Sequence, residues 1–355
     1  MQLYRTFVSS FEAHLSQLHV VVVVTTVSRQ LYPSRPYVAA ELDAALEFLQ
    51  AFAGKPRGRE GALEAPSALV LAMEAALLRV RKAEALQAGG AGEEAKALLL
   101  TVRKAVREGE STLAGLREGE DAAVPASVHR ASAEYYKLVG PAAACHASTL
   151  LYLGSVQPEA LLPSERHALA LDIALASLVG EGIYNFGEVL EQPVLRELAG
   201  TPQAWLCELL GAFQRGDIGA CDGCLAANRG AFEAQPTLRA AGAILQAKVR
   251  LLALVELVQA RPTESRVLAF GDIARAAQCA VEEVEHLAMR AMSLGLVRGS
   301  INQVDQTVAV TFVMPRVLNK AQLVVLKEVR VCVLCCVRAR KGRESQAQPF
   351  SLGTH

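Results

Sequence analysis

The chain has 355 residues, 52% of them hydrophobic and 20% charged, with a single Trp; this is the balance of stacked helices around a large core, and it excludes a disordered or fibrous chain. Lys plus Arg and Asp plus Glu each number 36, so no global field exists to hold a polyanion, and specific nucleic-acid binding starts disfavoured. Eight unevenly spaced cysteines fit free thiols in a reducing compartment rather than a disulfide framework.

The first thirty residues, MQLYRTFVSSFEAHLSQLHVVVVVTTVSRQ, lack the charged region, clean apolar run and small-residue cleavage site of a secretory signal. The valine run Val20 to Val24 is too short to span a bilayer, so no membrane partner is expected. Up to about residue 53 the apolar residues keep helical spacing, as in Leu42, Leu46 and Leu49 with Phe48 and Phe52 beside them. AGKPRGREG interrupts, 63–88 forms a second helical block ended by GGAGEE, and 95–106 a third ended at REGES. Segments 125–139 and 142–153 read as an antiparallel pair hinged at Gly140 and Pro141.

Ser164 is placed to cap a helix carrying Leu169, Ile173, Leu175 and Leu178, and Thr201 with Pro202 to open the next as cap and first-turn proline. One long helix is expected from about 237 to 259. Units of 30 to 45 residues, each a helical pair too short to bury its own face, predict a mostly α helical-repeat solenoid over 1–262.

After Pro262 the period changes. RVLAF is a short β-prone run and GDIARAAQ a short helix. Residues 281–294 form a longer helix with Val281, Val284, Leu287, Ala288, Ala291 and Leu294 on one face, stopped by Gly295. LVRGSI and TVAVTFV flank the polar turn NQVDQ, a hairpin. Strand, helix, helix, hairpin is the order of a winged helix, placed over 263–318; residues 319–355 hold the start of a C-terminal helix and then a basic tail.

The chemistry of the candidate sites is thin. A groove-binding second helix would meet phosphates with Glu282, Glu283, Glu285 and His286, whereas DNA binders gain affinity by neutralising phosphates. Cys221 and Cys224 have half a zinc site's spacing but no second pair nearby, and read as ordinary thiols in a loop; Cys332, Cys335 and Cys336 sit far off in sequence. GEGIYNFG breaks GxGxxG spacing and follows a helix rather than a strand. His146 and His167 fall in helices, where a hydrogen-bonded structural role is expected. No nucleophile, base and orienter assemble, so neither catalysis nor a cofactor, metal or small-molecule substrate is expected.

Three strings carry a resemblance: LVGEGIYNFGEVLEQPVL (178–195), WLCELLGAFQRGD (205–217), and LAFGDIARAAQCAVEEVEHLAMRAMSLGLVRGSINQVDQTVAVTFVMPRVL (268–318). They resemble the PCI-domain subunits that scaffold the proteasome lid, the signalosome and a translation initiation complex, with weaker similarity back to the first helix. The resemblance implies a solenoid ending in a winged helix that packs beside those of sister subunits. The implied role is that of a non-catalytic scaffold of the proteasome regulatory-particle lid, in cytoplasm and nucleus, supporting ubiquitin-dependent degradation through contacts with other PCI-domain lid subunits. The alternatives are a PCI-type subunit of the signalosome or translation initiation complex, or a nucleic-acid-binding winged helix. The expected partner surface is Val297, a strand edge at Val308, Val310 and Phe312, and Leu323 and Leu326 in the C-terminal helix.

Three departures from the family stand out. Ala280 replaces a hydroxyl residue and cannot cap its helix. Met1 falls where the family already has preceding repeats, as in a truncated or alternative product. Residues 319–355 hold seven basic and two acidic residues, a local net charge of +5, which predicts disorder and puts insertion into the family's helical bundle in question.

Overall fold

The computed structural model describes residues 15–32, 37–54, 63–116, 121–262 and 265–315. Helix α1 (Gln17–Arg29) starts at Ser16, whose hydroxyl accepts from the His19 amide, and its valine run buries Val20, Val21 and Val24. No helix among the described residues is long and apolar enough to cross a membrane. Helix α2 (Ala39–Ala53) turns Leu42, Leu46, Leu49 and Phe52 inward as their spacing requires.

Helix α3 (Ala65–Ala88) is buried along most of its length, Glu74 and Arg81 included. Helix α4 (Gly92–Gly115) does not stop at REGES but runs on to Gly115. Gly109 explains why: it is buried, and a Cβ there would lie 2.7 Å from Met73 Sδ. A residue that weakens an isolated helix is what lets α4 lie close on α3, so packing overrides local propensity.

Helices α5 (Ala123–Val139) and α6 (Ala142–Ser155) form the expected pair, joined through Gly140 at a φ of +79°. Helix α7 (Pro163–Val179) begins one residue before Ser164; Pro163 fills its first turn and Leu162 stands at the cap. Helix α8 (Phe186–Leu190) follows the GEGIYN loop. Thr201 does not open helix α9 (Trp205–Arg215); its hydroxyl donates to Leu198 O at 2.7 Å and accepts from the Gln203 amide at 3.3 Å, shaping a turn three residues ahead.

Gly216 ends α9 with a φ of +64°, pressed so close to α13 that a Cβ would meet Leu252 O at 2.8 Å. Helices α10 (Ile218–Ala227), α11 (Arg229–Glu233) and α12 (Pro236–Ala240) are short. The single helix expected from 237 breaks at Ala241 before α13 (Gly242–Gln259) begins, and the break allows Leu238 and Leu245 both to be buried.

The C-terminal module is β1 (Val267–Ala269), α14 (Phe270–Ala277), α15 (Val281–Ser293), β2 (Val297–Asn302) and β3 (Thr307–Val313). Its sheet is antiparallel in the order β1-β3-β2, with Leu268 opposite Val308 and Ile301 opposite Val308 on the other side. One hydrophobic core runs unbroken from Leu153 in α6 through α13 to Val310 in β3, so the winged helix is packed onto the preceding helices. A second core joins α1, α2, α3 and α5, and a smaller one lies between α3, α4 and α5.

Ion pairs link the helical layers. Arg29 of α1 grips Glu74 of α3 through two bonds of 2.9 and 2.8 Å, and Arg81 of α3 stacks over Tyr32 and Tyr37 at 5.1 and 5.3 Å. Arg130 and Lys137 of α5 reach Glu165 and Asp172 of α7 at 2.7 and 2.5 Å. Burial pushes the Glu74 carboxyl up, but the Arg29 charge and hydrogen bonds, with Arg130 and Arg81 behind, outweigh that and hold its pKa at about 2.

Candidate protein-interaction face of the winged helix

The winged helix is aimed by the end of α13. Arg261 donates to Asp272 of α14 at 2.8 Å, Arg250 lies 3.7 Å from Glu283 of α15, and Gln259 reaches Met314 O at 3.4 Å. Deeper in, Lys248 of α13 is 2% exposed and donates to Ser177 O at 2.9 Å and Leu178 O at 2.8 Å, two carbonyls in the last turn of α7. It thus satisfies helix-end acceptors that would otherwise be orphaned in the core. The rings of Tyr184 and Phe186 stand over its ammonium at 6.0 and 5.7 Å. Burial lowers its pKa to about 8, with Glu181 pulling the other way.

This is the purpose of GEGIYNFG: the loop supplies the aromatic lid over Lys248. Gly180 is required there because a Cβ would sit 2.4 Å from Ile183 Cδ1 and 2.6 Å from Ala176 O. His146 is buried, but its Nε2 has no hydrogen-bond partner, contrary to expectation. Burial and the Lys248 charge lower its pKa to about 4, so the ring is neutral at pH 7.

Within the sheet the expected margin is corrected. β3 is paired on both sides, so it is the centre and offers no free edge. Val308 is 1%, Val310 6% and Val297 1% exposed; all three belong to the interior of the module. The two-residue alternation was visible, but which strand lies in the middle depends on β1, which arrives from before both helices to pair with β3. Phe312 is 42% exposed, with the Arg298 guanidinium 5.3 Å from its ring centroid. Leu323 and Leu326 lie outside the described residues.

Among the described residues the unpaired margins are the outer sides of β1 and β2. β2 bears a bulge at Arg298/Gly299, and a Cβ on Gly299 would come within 2.0 Å of Ala309 O, so only glycine fits. At the wing tip, the Asn302 side chain accepts from the Val304 and Asp305 amides at 3.1 and 3.2 Å and donates to Asp305 at 2.7 Å. This turn holds Val304 out, 93% exposed. Val267 on β1 and Met314 after β3 are also exposed, at 55% and 38%. The signal sequence reasoning missed was Val304, an apolar residue inside an otherwise polar turn.

On α15, Glu282, Glu283 and His286 face solvent, Glu285 is half-buried, and Gln303 of the wing donates to Glu285 at 3.1 Å. Ala280 stands at the N-cap without a side-chain bond, as its methyl requires. Val284, Ala288 and Ala291 are buried, whereas Val281 and Leu294 at the ends of that face are exposed.

Cys221 and Cys224 lie on α10 rather than in a loop. Burial, with Asp217 and Asp222 nearby, pushes the Cys221 thiol up to about 12, and Cys224 Sγ is 3.6 Å from Trp205 O. Both are therefore protonated at pH 7, which is poor for a nucleophile. Among the described residues no group of three or more His, Cys, Asp or Glu is arranged to hold a metal ion.

Two family models match this chain: PSD13 N-terminal repeats over residues 1–210 and the PCI domain over residues 225–312. The chain is 31% identical over 328 residues to the 26S proteasome non-ATPase regulatory subunit 13 homolog B of Arabidopsis thaliana, covering 92% of this chain and 79% of that one. It is 29% identical over 320 residues to the 26S proteasome non-ATPase regulatory subunit 13 of Dictyostelium discoideum, covering 90% and 76%. With the 26S proteasome regulatory subunit RPN9 of Saccharomyces cerevisiae it shares 33% identity over 204 residues, 57% of this chain and 51% of the other.

Proposed function

Because the chain belongs to the family of 26S proteasome non-ATPase regulatory subunit 13, with its N-terminal repeats and PCI domain in the same order, we propose that it acts as a scaffold subunit of the proteasome regulatory-particle lid. It contacts other proteasome subunits, supports ubiquitin-dependent degradation in cytoplasm and nucleus, and carries out no chemistry of its own. PCI-domain lid subunits are the specific partners on this reading.

One observation carries the mechanical side. The winged helix keeps its packing residues inside while Val267, Val304, Phe312 and Met314 stand in solvent beside two unpaired strand margins among the described residues. Unpaired margins with apolar neighbours are what β-augmentation by another sheet uses. β2, six residues long, is the better margin than the three-residue β1. Phe312 is retained from the expected partner surface, and Val267 and Val304 join it. Glu282 and Glu283 on the outer face of α15 oppose a phosphate backbone, which disfavours nucleic acid.

Co-purification tests this. The tagged full chain is expected to bring down lid subunits, and V267D/V304D/F312D to bring down several-fold less while its far-UV spectrum is unchanged. Recovery of signalosome or initiation-complex subunits in place of lid subunits would overturn the assignment. Equal recovery with the triple variant would overturn the interface.

A further inference from the structure

Helix α15 keeps an uncovered stripe on the side of the wing. Val281, Glu285 and Met289 follow one another at i, i+4 and i+8 with Glu282 beside them, whereas Val284, Ala288 and Ala291 face the core. Val281 is 39% and Met289 46% exposed. The bond from Gln303 to Glu285 draws the wing tip onto this stripe, and with it Val304, the most exposed large apolar side chain among the described residues. Three apolar side chains thus stand in water around one set of carboxylates.

The charge of this face is one-sided. Residues 281–289 hold three glutamates and the turn 302–306 adds Asp305, with no Lys or Arg in either segment. Glu283, on the flank toward α13, has Arg250 at 3.7 Å. Glu282, Glu285 and Asp305 have no cationic partner among the described residues; Glu285 is met by Gln303 and Asp305 by Asn302, both neutral. The neighbouring cations are engaged elsewhere. Arg290 acts on Tyr184, Arg261 and Arg275 lie on Asp272, and the sheet register puts Arg266 beside Val310 and Arg298 opposite Phe312, three and five residues along β3 from Thr307. Glutamates in a first turn favour the helix dipole, which accounts for Glu282 and Glu283. It gives no reason for Met289 and Val304 to stand in water beside Glu285.

The same chain carries the complement. Residues 330–343, RVCVLCCVRARKGR, hold five basic residues and no acidic one, with an apolar run from Val331 to Val337. The tether is long enough: β3 leads away from the wing tip for about 20 Å, and the chain from 314 to 330 covers about 24 Å as a helix or about 50 Å extended. A tethered segment meets the face at an effective concentration in the millimolar range, which favours it over a free partner of equal chemistry. A phosphate backbone has the wrong sign.

We propose that segment 330–343 docks on the α15 and wing face of its own chain, its cations against Glu282, Glu285 and Asp305 and its apolar run against Val281, Met289 and Val304. The contact forms within one chain, so its failure leaves the lid function standing.

The test is photocrosslinking in the dilute full chain. A benzophenone amino acid replaces Met289 in the wild type, in E282K/E285K, and in E282K/E285K combined with R338E/R340E/K341E/R343E. The expected result is an intrachain crosslink to residues 330–343 in the wild type, about tenfold weaker in E282K/E285K and restored to within about twofold by the charge swap, with one melting temperature throughout. High salt should lower the wild-type yield several-fold, a readout that needs no charge substitution. Absence of a crosslink to 330–343, an undiminished yield in E282K/E285K or in high salt, or no recovery in the swapped chain would each overturn the contact. A crosslink found only between two copies would give the face to a second chain, and one found only with another subunit in the assembled particle would give it to that subunit's basic segment; either result overturns docking within one chain.

Discussion

Lys248 permits a quantitative test of how α13 is tied to α7. Its ammonium is buried, and burial lowers its pKa from 10.5 to about 8. The folded pKa lies below the unfolded one, so between pH 8 and 10.5 the unfolded chain holds more protons and raising the pH stabilises the fold. That gain amounts to about 3 kcal/mol across the window. Lys248→Met keeps most of the apolar stem but removes the donor to Ser177 O and Leu178 O. Losing each bond costs about 1–3 kcal/mol, offset in part because no charge remains buried. Lys248→Ala adds a cavity and is expected to cost about 2 kcal/mol more than the methionine variant. The assay is denaturant unfolding from pH 7 to 10.5, read as wild type minus Lys248→Met, so that thiols and tyrosines common to both cancel. The difference is expected to rise by about 3 kcal/mol in favour of wild type. A flat difference curve would refute the placement of a buried, charged amine at the end of α7.

Glu74→Gln leaves Arg29, Arg81 and Arg130 without their shared carboxylate, and a loss of about 3–5 kcal/mol in unfolding free energy is expected. In the wild type the Glu74 contribution is complete above pH 4.5 and disappears as the pH falls through about 2, because its folded pKa is depressed; acid unfolding of wild type and variant should therefore converge toward pH 2. Gly299→Ala forces a Cβ into Ala309 O and should destabilise the wing by about 3 kcal/mol, read as faster amide exchange in β2 and β3 with α1–α5 unaffected. Burial raises the thiols of Cys145 and Cys221 to about 11 and about 12, so the folded chain keeps protons that the unfolded chain releases above pH 9. Their stabilisation is lost as the pH rises through those values, and Cys145→Ala with Cys221→Ala should flatten the alkaline limb of the stability curve.

Local pattern settled the helical elements and the order strand, helix, helix, hairpin, because a 3.6-residue or two-residue period leaves its mark on a single stretch. Leu42, Leu46, Leu49 and Phe52 and the stop at Gly295 are of that kind. The sign of the charge on α15 was likewise legible, and with it the disfavouring of a DNA groove. The details that depend on a distant partner were not. α4 passes REGES because Gly109 meets Met73, 36 positions earlier; α13 breaks free of α12 so that both bury a leucine. Val308 and Val310 became interior when β1 closed on β3 across some forty residues. Lys248 looked like one cation on a long helix until α7 brought two carbonyls of its last turn to it. Sequence alone determined which faces are apolar and what charge they carry, since those properties belong to the residues themselves. Only the tertiary structure decided which of those faces are already covered, because burial is a property of pairs of segments and is fixed by the packing that closes between them.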